Sequence, residues 1–393
     1  MSAGATSNRV WLSTLIGGSL LIVAEMLTRH LDGSPGWLNS ALLGLGGLLV
    51  VFAACELMIL AVDGIGQRLR MNRYVAGTMA GLASNIPELV MLGFVLAATP
   101  RVGFLVTVVT VHVSAAAFGI YSALLPRDAS GNAAMPKPLV LLSTDLYACA
   151  AGVFFATGTI MLLMYVFDAG VHQGNALNAT DLYVLGSALL LVEVVAITRL
   201  VKRFSRDVSK PAEVATNAAH EAPEGAPSYT AIASYGLIGI VASVFGGHAV
   251  GGFADVLVTT LDQAGYPKMV GALVLSVFAS AGALVMMASA HVKGMYDVAL
   301  ANASGQVTQV PFVVMPFALI LLAVFSQTGV ISLTPSGGVL PIDLDTVSVM
   351  LLGFPSMLIL WKAIQDDGTV NWLETVTMIV IFGLTIYFLA AHG

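Results

Sequence analysis

Apolar runs of about twenty residues recur along the whole chain, separated by short charged or Gly/Pro-containing breaks. About 20 apolar residues carry a helix across the hydrocarbon core, and only helices and closed barrels satisfy their backbone there. Read against the breaks, eleven helical spans are expected, at about 10–28, 37–66, 74–98, 102–125, 138–166, 180–200, 230–262, 269–291, 297–326, 344–363 and 371–391. With 58% hydrophobic and 10% charged residues, a soluble globule is excluded. The expectation is an all-α integral membrane protein in which the long spans 37–66 and 230–262 tilt or bend. Met1–Asn8 has no basic region followed by a cleavage site, so no removable signal peptide is expected. Cys55 and Cys149 both fall inside apolar spans and read as two buried thiols.

The charges support the count. With eleven spans, 16 Lys and Arg residues divide so that all but Arg29, Arg101 and Lys268 lie on the face of the N-terminus. By the positive-inside rule the N-terminus is expected in the cytoplasm and the C-terminus outside, in the cell (inner) membrane. The net charge of −6 is scattered, so nucleic acid is not an expected partner. No nucleotide-binding loop, hydrolase metal spacing or nucleophile elbow occurs, which argues against an enzyme or an ATP-driven pump.

The halves repeat. Setting Gly77 against Gly271 aligns Arg73–Pro126 with Lys268–Phe325, each a small-residue-rich helix followed by one with small polar residues near its middle. The expected organisation is a leading helix (1–36), a first five-helix repeat (37–201), a cytoplasmic linker (202–229) and a second five-helix repeat (230–393). An odd number of helices inverts one repeat against the other, the plan of secondary transporters, whose substrates bind at the midplane on helices interrupted by Gly and Pro.

Within that plan Ser84-Asn85-Ile86-Pro87-Glu88 places a carboxylate and a helix breaker together at membrane depth. An ionisable group there costs about 2.5–3.5 kcal/mol even on the mildest scale, and proline frees backbone groups that need partners. The combination suits ion movement better than anchoring.

Gly81-Leu-Ala-Ser84-Asn85-Ile-Pro87-Glu88-Leu89 resembles the first repeat of the calcium/cation antiporter superfamily. Within it the chain is most similar to the cation/proton exchanger branch. Gly305-Gln306-Val-Thr308-Gln309-Val-Pro-Phe-Val-Val-Met-Pro316 resembles that branch's second-repeat segment, and Asp367-Gly-Thr-Val-Asn371-Trp372-Leu-Glu374 the entry to its last helix. The resemblance implies a sodium/calcium exchanger-like fold without cofactor. It also implies antiport of a cation, calcium by resemblance, against protons.

The chain departs from the family where each repeat should donate an acidic residue. The first keeps Glu88; the second has Ser280-Ala281-Gly282-Ala283. Calcium takes six to eight oxygen ligands, usually including carboxylates. One Glu with neutral oxygens better matches sodium, another monovalent cation, or proton exchange. The candidate ion- and proton-binding set is Glu88, the one metal-binding carboxylate, with Ser84, Asn85, Ser114, Ser280, Gln306, Thr308 and Gln309. His112 is expected mid-span, facing Gly305-Gln306, as a second protonatable group or as a structural helix–helix tie. Glu56 and Asp297 are candidates for cation entry, while Asp63 is expected to pair with Arg68 or Arg70. Glu193 and Glu374 fall in helices the scheme puts at the periphery and read as structural. The other reading of the missing carboxylate is a membrane scaffold or sensor that no longer transports. Nothing suggests the filter ring of a channel.

Overall fold

The computed structural model describes residues 10–29, 36–69, 73–167, 176–204, 227–292, 294, 296–334, 337–365 and 367–392. The helices are α1 Val10–Arg29, α2 Gly36–Arg68, α3 Arg73–Ala98, α4 Pro100–Ala123, α5 Lys137–Phe167 and α6 Ala179–Phe204. After the linker follow α7 Tyr229–Gln263, α8 Lys268–Val292, α9 Tyr296–Gln309, α10 Met315–Gln327, α11 Leu344–Gln365 and α12 Trp372–His392. A π-helical turn, Val310–Val314, joins α9 and α10 into one crossing. Ten helices among the described residues are long and apolar enough to cross a membrane; the remaining expected span is α8, whose apolar stretch, Lys268–Leu284, is shorter. The expected spans are all present. Most of the 202–229 linker lies outside the described residues.

Two short strand pairs fix the loops on opposite ends. Ala133–Ala134 (β1) pairs with Thr369–Val370 (β4), and Ala176–Leu177 (β2) pairs with Leu340–Pro341 (β3), both antiparallel. Such pairings form only when helix parity returns the right loops to the same end.

The Asp367–Glu374 segment owes its composition to the first end. Asp367 accepts from the amide and hydroxyl of Thr369, which holds its carboxyl below the ordinary range. Gly368 turns at φ +71°, and its carbonyl accepts from Met135 N–H. Asn371 and Glu374 form a reciprocal capping box at 2.9 and 3.0 Å that starts α12. Arg127 then lies over the Trp372 ring at 4.0 Å and donates to Gly131 O, Val370 O, Ser122 O and Thr375 Oγ1. Glu374 is therefore structural, as expected.

Small residues let the helices close on one another. α2 crosses α7 where Gly47 faces Val250 and Gly246, and crosses α1 where Gly46 faces Gly18 O. Without a hydrophobic drive in lipid, such close approach is what holds helices together. Proline does not break α3: the helix runs through Pro87, and Ala83 O only loses its usual donor.

Two local readings differ from expectation. Asp63 accepts from Gln67 at 2.7 Å, while Arg68 turns to Pro227 O and the Tyr229 ring. Arg70 lies outside the described residues. Cys149 is exposed on α5, whereas Cys55 is buried as expected.

A Cβ on Gly47 would sit 2.8 Å from Val250 Cγ2 and 3.0 Å from Val250 N. Gly47→Ala is therefore expected to cost about 1–3 kcal/mol by overpacking. Gly17→Ala, facing nothing within 4 Å, should be neutral or slightly stabilising. Thermal unfolding of both variants in detergent checks the contrast.

Candidate ion site

Glu88 lies on α3, one turn beyond Ser84, and is 5% exposed. It opens on a narrow cavity walled by Val51, Phe52 and Cys55 of α2, by Gly282 and Ala283 of α8, and by Gln306 of α9. Ser84 also lines the cavity, and its hydroxyl donates to Gly81 O at 2.7 Å. Cys55 Sγ donates to Ser84 O at 3.5 Å, a contact sequence reasoning missed because a lone thiol in an apolar span carries no pattern.

An amide chain ties α3 to α9 next to the cavity, through Gln306, which lines it. Asn85 Nδ2 donates to Gln309 Oε1 at 2.9 Å, and Gln306 Nε2 donates to Asn85 Oδ1 at 3.4 Å. Gly81 and Gly305 make room for it: a Cβ on either would come 3.4 Å from Gln309 Nε2. The structure thus brings Ser84, Asn85, Glu88, Gln306 and Gln309 together from two stretches more than 200 residues apart. Thr308 is buried, but its hydroxyl is used within its own helix, on Ser304 O and Gly305 O at 3.1 Å.

Ser114 and Ser280 line a second, adjoining cavity with Ala283, Asn302 and Gln306. Ser114 Oγ, Ser280 Oγ and Gln306 Oε1 are all buried without a hydrogen-bond partner among the described residues. Three orphaned oxygens around two cavities that share Ala283 and Gln306 are groups available to a cation or to water.

His112 points elsewhere. Its Nε2 meets Val349 O at 3.1 Å and its Nδ1 meets Ser356 Oγ at 3.4 Å, both on α11. Instead of facing Gly305 and Gln306, it joins α4 to α11, because both ring nitrogens find partners there. Glu56 is half-buried on α2 and does not line either cavity. Asp297 opens α9, and its side chain lies outside the described residues.

A further polar tie had no sequence motif to announce it. Tyr147 OH and Ser304 Oγ are 2.7 Å apart, and Ser304 donates to Ser143 at 2.7 Å, joining α5 to α9. The four-residue spacing of Ser143 and Tyr147 puts both on one face, which is the available signal.

Residues 236–391 match the sodium/calcium exchanger protein family. No curated protein sequence matches the chain. Among solved structures, the fold is similar to that of the H+/Ca2+ exchanger CAX, with TM-score 0.63 and 14% identity over 97% of this chain and 91% of that one. It is similar to native YfkE with TM-score 0.61 and 15% identity, over 97% and 99%. A sodium-calcium exchanger, NCX_Mj, gives TM-score 0.51 and 14% identity over 88% and 98%. At these identities the structural likeness shows the fold alone: a helical membrane protein with an exchanger-like arrangement of helices.

Removing one member of the amide chain leaves a bonded group of its partner buried and unpaired. Gln309→Leu is expected to cost about 1–3 kcal/mol, with Asn85→Leu similar. The double variant should cost less than the two together, since neither partner is then stranded. Unfolding midpoints of the three variants in detergent give the comparison.

Proposed function

We propose that this chain, whose residues 236–391 match the sodium/calcium exchanger protein family, is a secondary antiporter exchanging a cation for protons at Glu88. The observation that carries this reading is the buried Glu88 carboxyl opening on a cavity beside the Asn85–Gln309 and Gln306–Asn85 bonds. A buried carboxyl that accepts either a cation or a proton is enough to couple the two fluxes. Ser84, Gln306, Ser114 and Ser280 would supply neutral oxygens; Asn85, Gln309 and Thr308 would shape the site.

The wall opposite Glu88 is Gly282 and Ala283, which bring no charge. A site with one carboxylate favours a monovalent cation, or a calcium ion that keeps much of its water. The inverted five-helix repeats, a cytoplasmic N-terminus and an external C-terminus in the cell membrane complete the proposal. The helix parity and the charge distribution support them. Asp297, at the start of α9, would then sit at the cytoplasmic mouth.

Vesicles reconstituted with the full chain and carrying a pH gradient test the reading. Addition of calcium, sodium, potassium or manganese in turn should collapse the gradient for at least one cation, and Glu88→Gln should abolish that response. If no cation does so, the antiporter reading fails and a scaffold or sensor role takes its place; if Glu88→Gln transports normally, the exchange does not run through Glu88 and the proposed site is wrong. Ala283→Glu adds the absent carboxylate; it is expected to raise the preference for calcium over sodium by about tenfold or more, measured by competition in the same vesicles. That factor corresponds to about 1.4 kcal/mol.

A further inference from the structure

Glu193 lies near the middle of α6 on the stripe where that helix meets the bundle. Leu182, Gly186, Leu189, Glu193 and Leu200 are buried along it, while Leu191, Val194 and Val195 are exposed. The carboxyl thus occupies a position otherwise filled by leucine or glycine. It is 8% exposed, and Oε2 has no hydrogen-bond partner among the described residues.

The register with the neighbouring crossing follows from three contacts. Tyr183 OH donates to Gln327 Oε1 at 3.0 Å, and a Cβ on Gly186 would come 3.0 Å from Pro316 O and 2.9 Å from Ile320 Cγ1. α6 therefore runs antiparallel to α10. Glu193, seven residues or about two turns beyond Gly186, comes level with the π-helical turn Val310–Val314, against which α6 also packs.

That turn has carbonyl oxygens in excess. Pro311 and Pro316 have no N–H, and Met315 N–H is used on Val310 O. Val307 O, Pro311 O and Phe312 O therefore lose their usual helical donors. A carboxylate accepts only and cannot bond to a carbonyl; a carboxylic acid has an O–H to donate.

Among the described residues the surrounding elements offer no compensating cation. α10 and the π-helical turn contain no ionisable residue. α3 brings only Glu88 at this depth, and on α5 Asp145 is engaged by Arg199 at 3.4 Å, Tyr147 is bonded to Ser304, and Cys149 is exposed. A carboxylate buried without a counter-ion is costly.

We propose that Glu193 is a second proton-binding site of this membrane protein, held as the neutral acid with its O–H directed to a carbonyl of the π-helical turn. The turn begins at the residue after Gln309, which accepts from Asn85 at the ion site. Loss of the proton strands a charge against that turn, so the state of Glu193 is felt at Glu88. This coupling rests on the antiporter reading above; the protonation itself does not.

Infrared spectra of the full chain in vesicles, titrated from acid to alkaline pH, test the protonation without any transport measurement. In a Glu88→Gln background a protonated carboxyl band should persist at neutral pH and lose intensity in Glu88→Gln/Glu193→Gln. Identical spectra for the two would show Glu193 ionised and overturn the proposal. For the coupling, cation-driven proton flux of Glu193→Gln should show a pH profile displaced by about one unit or flattened. Glu193→Leu, which restores the apolar seam, should show the same change. A wild-type profile in Glu193→Leu would mean that the carboxyl only packs, and would overturn the coupling. If the unmodified chain shows no flux, the antiporter reading fails and the infrared result still decides Glu193.

Discussion

The bond from Asn85 Nδ2 to Gln309 Oε1 is the contact on which the centre of this molecule depends. It joins α3 to α9 at membrane depth, where an unpaired amide has no water to turn to. Gly81 and Gly305 are small because the Gln309 amide lies against both. Gln306 completes the chain by donating to Asn85. Once these groups are tied, the faces left over are those that open on the cavities: Glu88 and Ser84 on one side, Ser114 and Ser280 on the other. A one-residue slip of either helix would bury unpaired amides, so the same bonds that satisfy the interior also fix where its free oxygens lie.

α4 carries this centre to the ends of the protein. Arg101 at its N-terminal end is paired with Asp343 and Asp345 just before and at the start of α11. His112 binds α11 in the middle, and Arg127, just past the other end, binds the β4 and α12 segment. Three levels of contact make α4, α11 and α12 one unit. α2 stands differently toward the cavity: its wall there is mostly apolar, and its polar tie across is the weak Cys55 thiol bond to Ser84 O. The stiff side of the site and its more loosely tied wall are therefore different elements.

Much of this was legible in the sequence for physical reasons. Helices of membrane length announce themselves by composition, and the charge asymmetry follows from their parity. Ser84, Asn85, Glu88, Gln306 and Gln309 stood out because polar groups are rare in such spans, and the structure gathers them. The direction of a side chain around its helix was less legible. His112 lies on the same small-residue-rich helix as Ser114, yet it turns to α11 because Val349 O and Ser356 stand there. The Tyr147–Ser304–Ser143 tie depends on which helix is a neighbour, which local pattern does not encode. The Asp367–Glu374 segment, the most specific match by residue, proved to be a turn and capping box, so a strong motif here marks architecture and not chemistry.

Electrostatics connects the two carboxyls that remain. At Glu88 the facing helix offers Gly282 and Ala283, so a bound cation meets one negative charge and several oxygen dipoles. At Glu193 the facing turn offers carbonyl oxygens and no cation at all. On the proposed reading the first environment would exchange a proton for a metal ion, with the orphaned oxygens completing a coordination shell. The second can exchange a proton only for an uncompensated charge, since its neighbours can accept but not neutralise. On the proposed reading, the two groups therefore differ in kind: Glu88 would bind what is carried, and Glu193 would sense protons alone. The proline-relieved turn between them is the element through which one would register the state of the other.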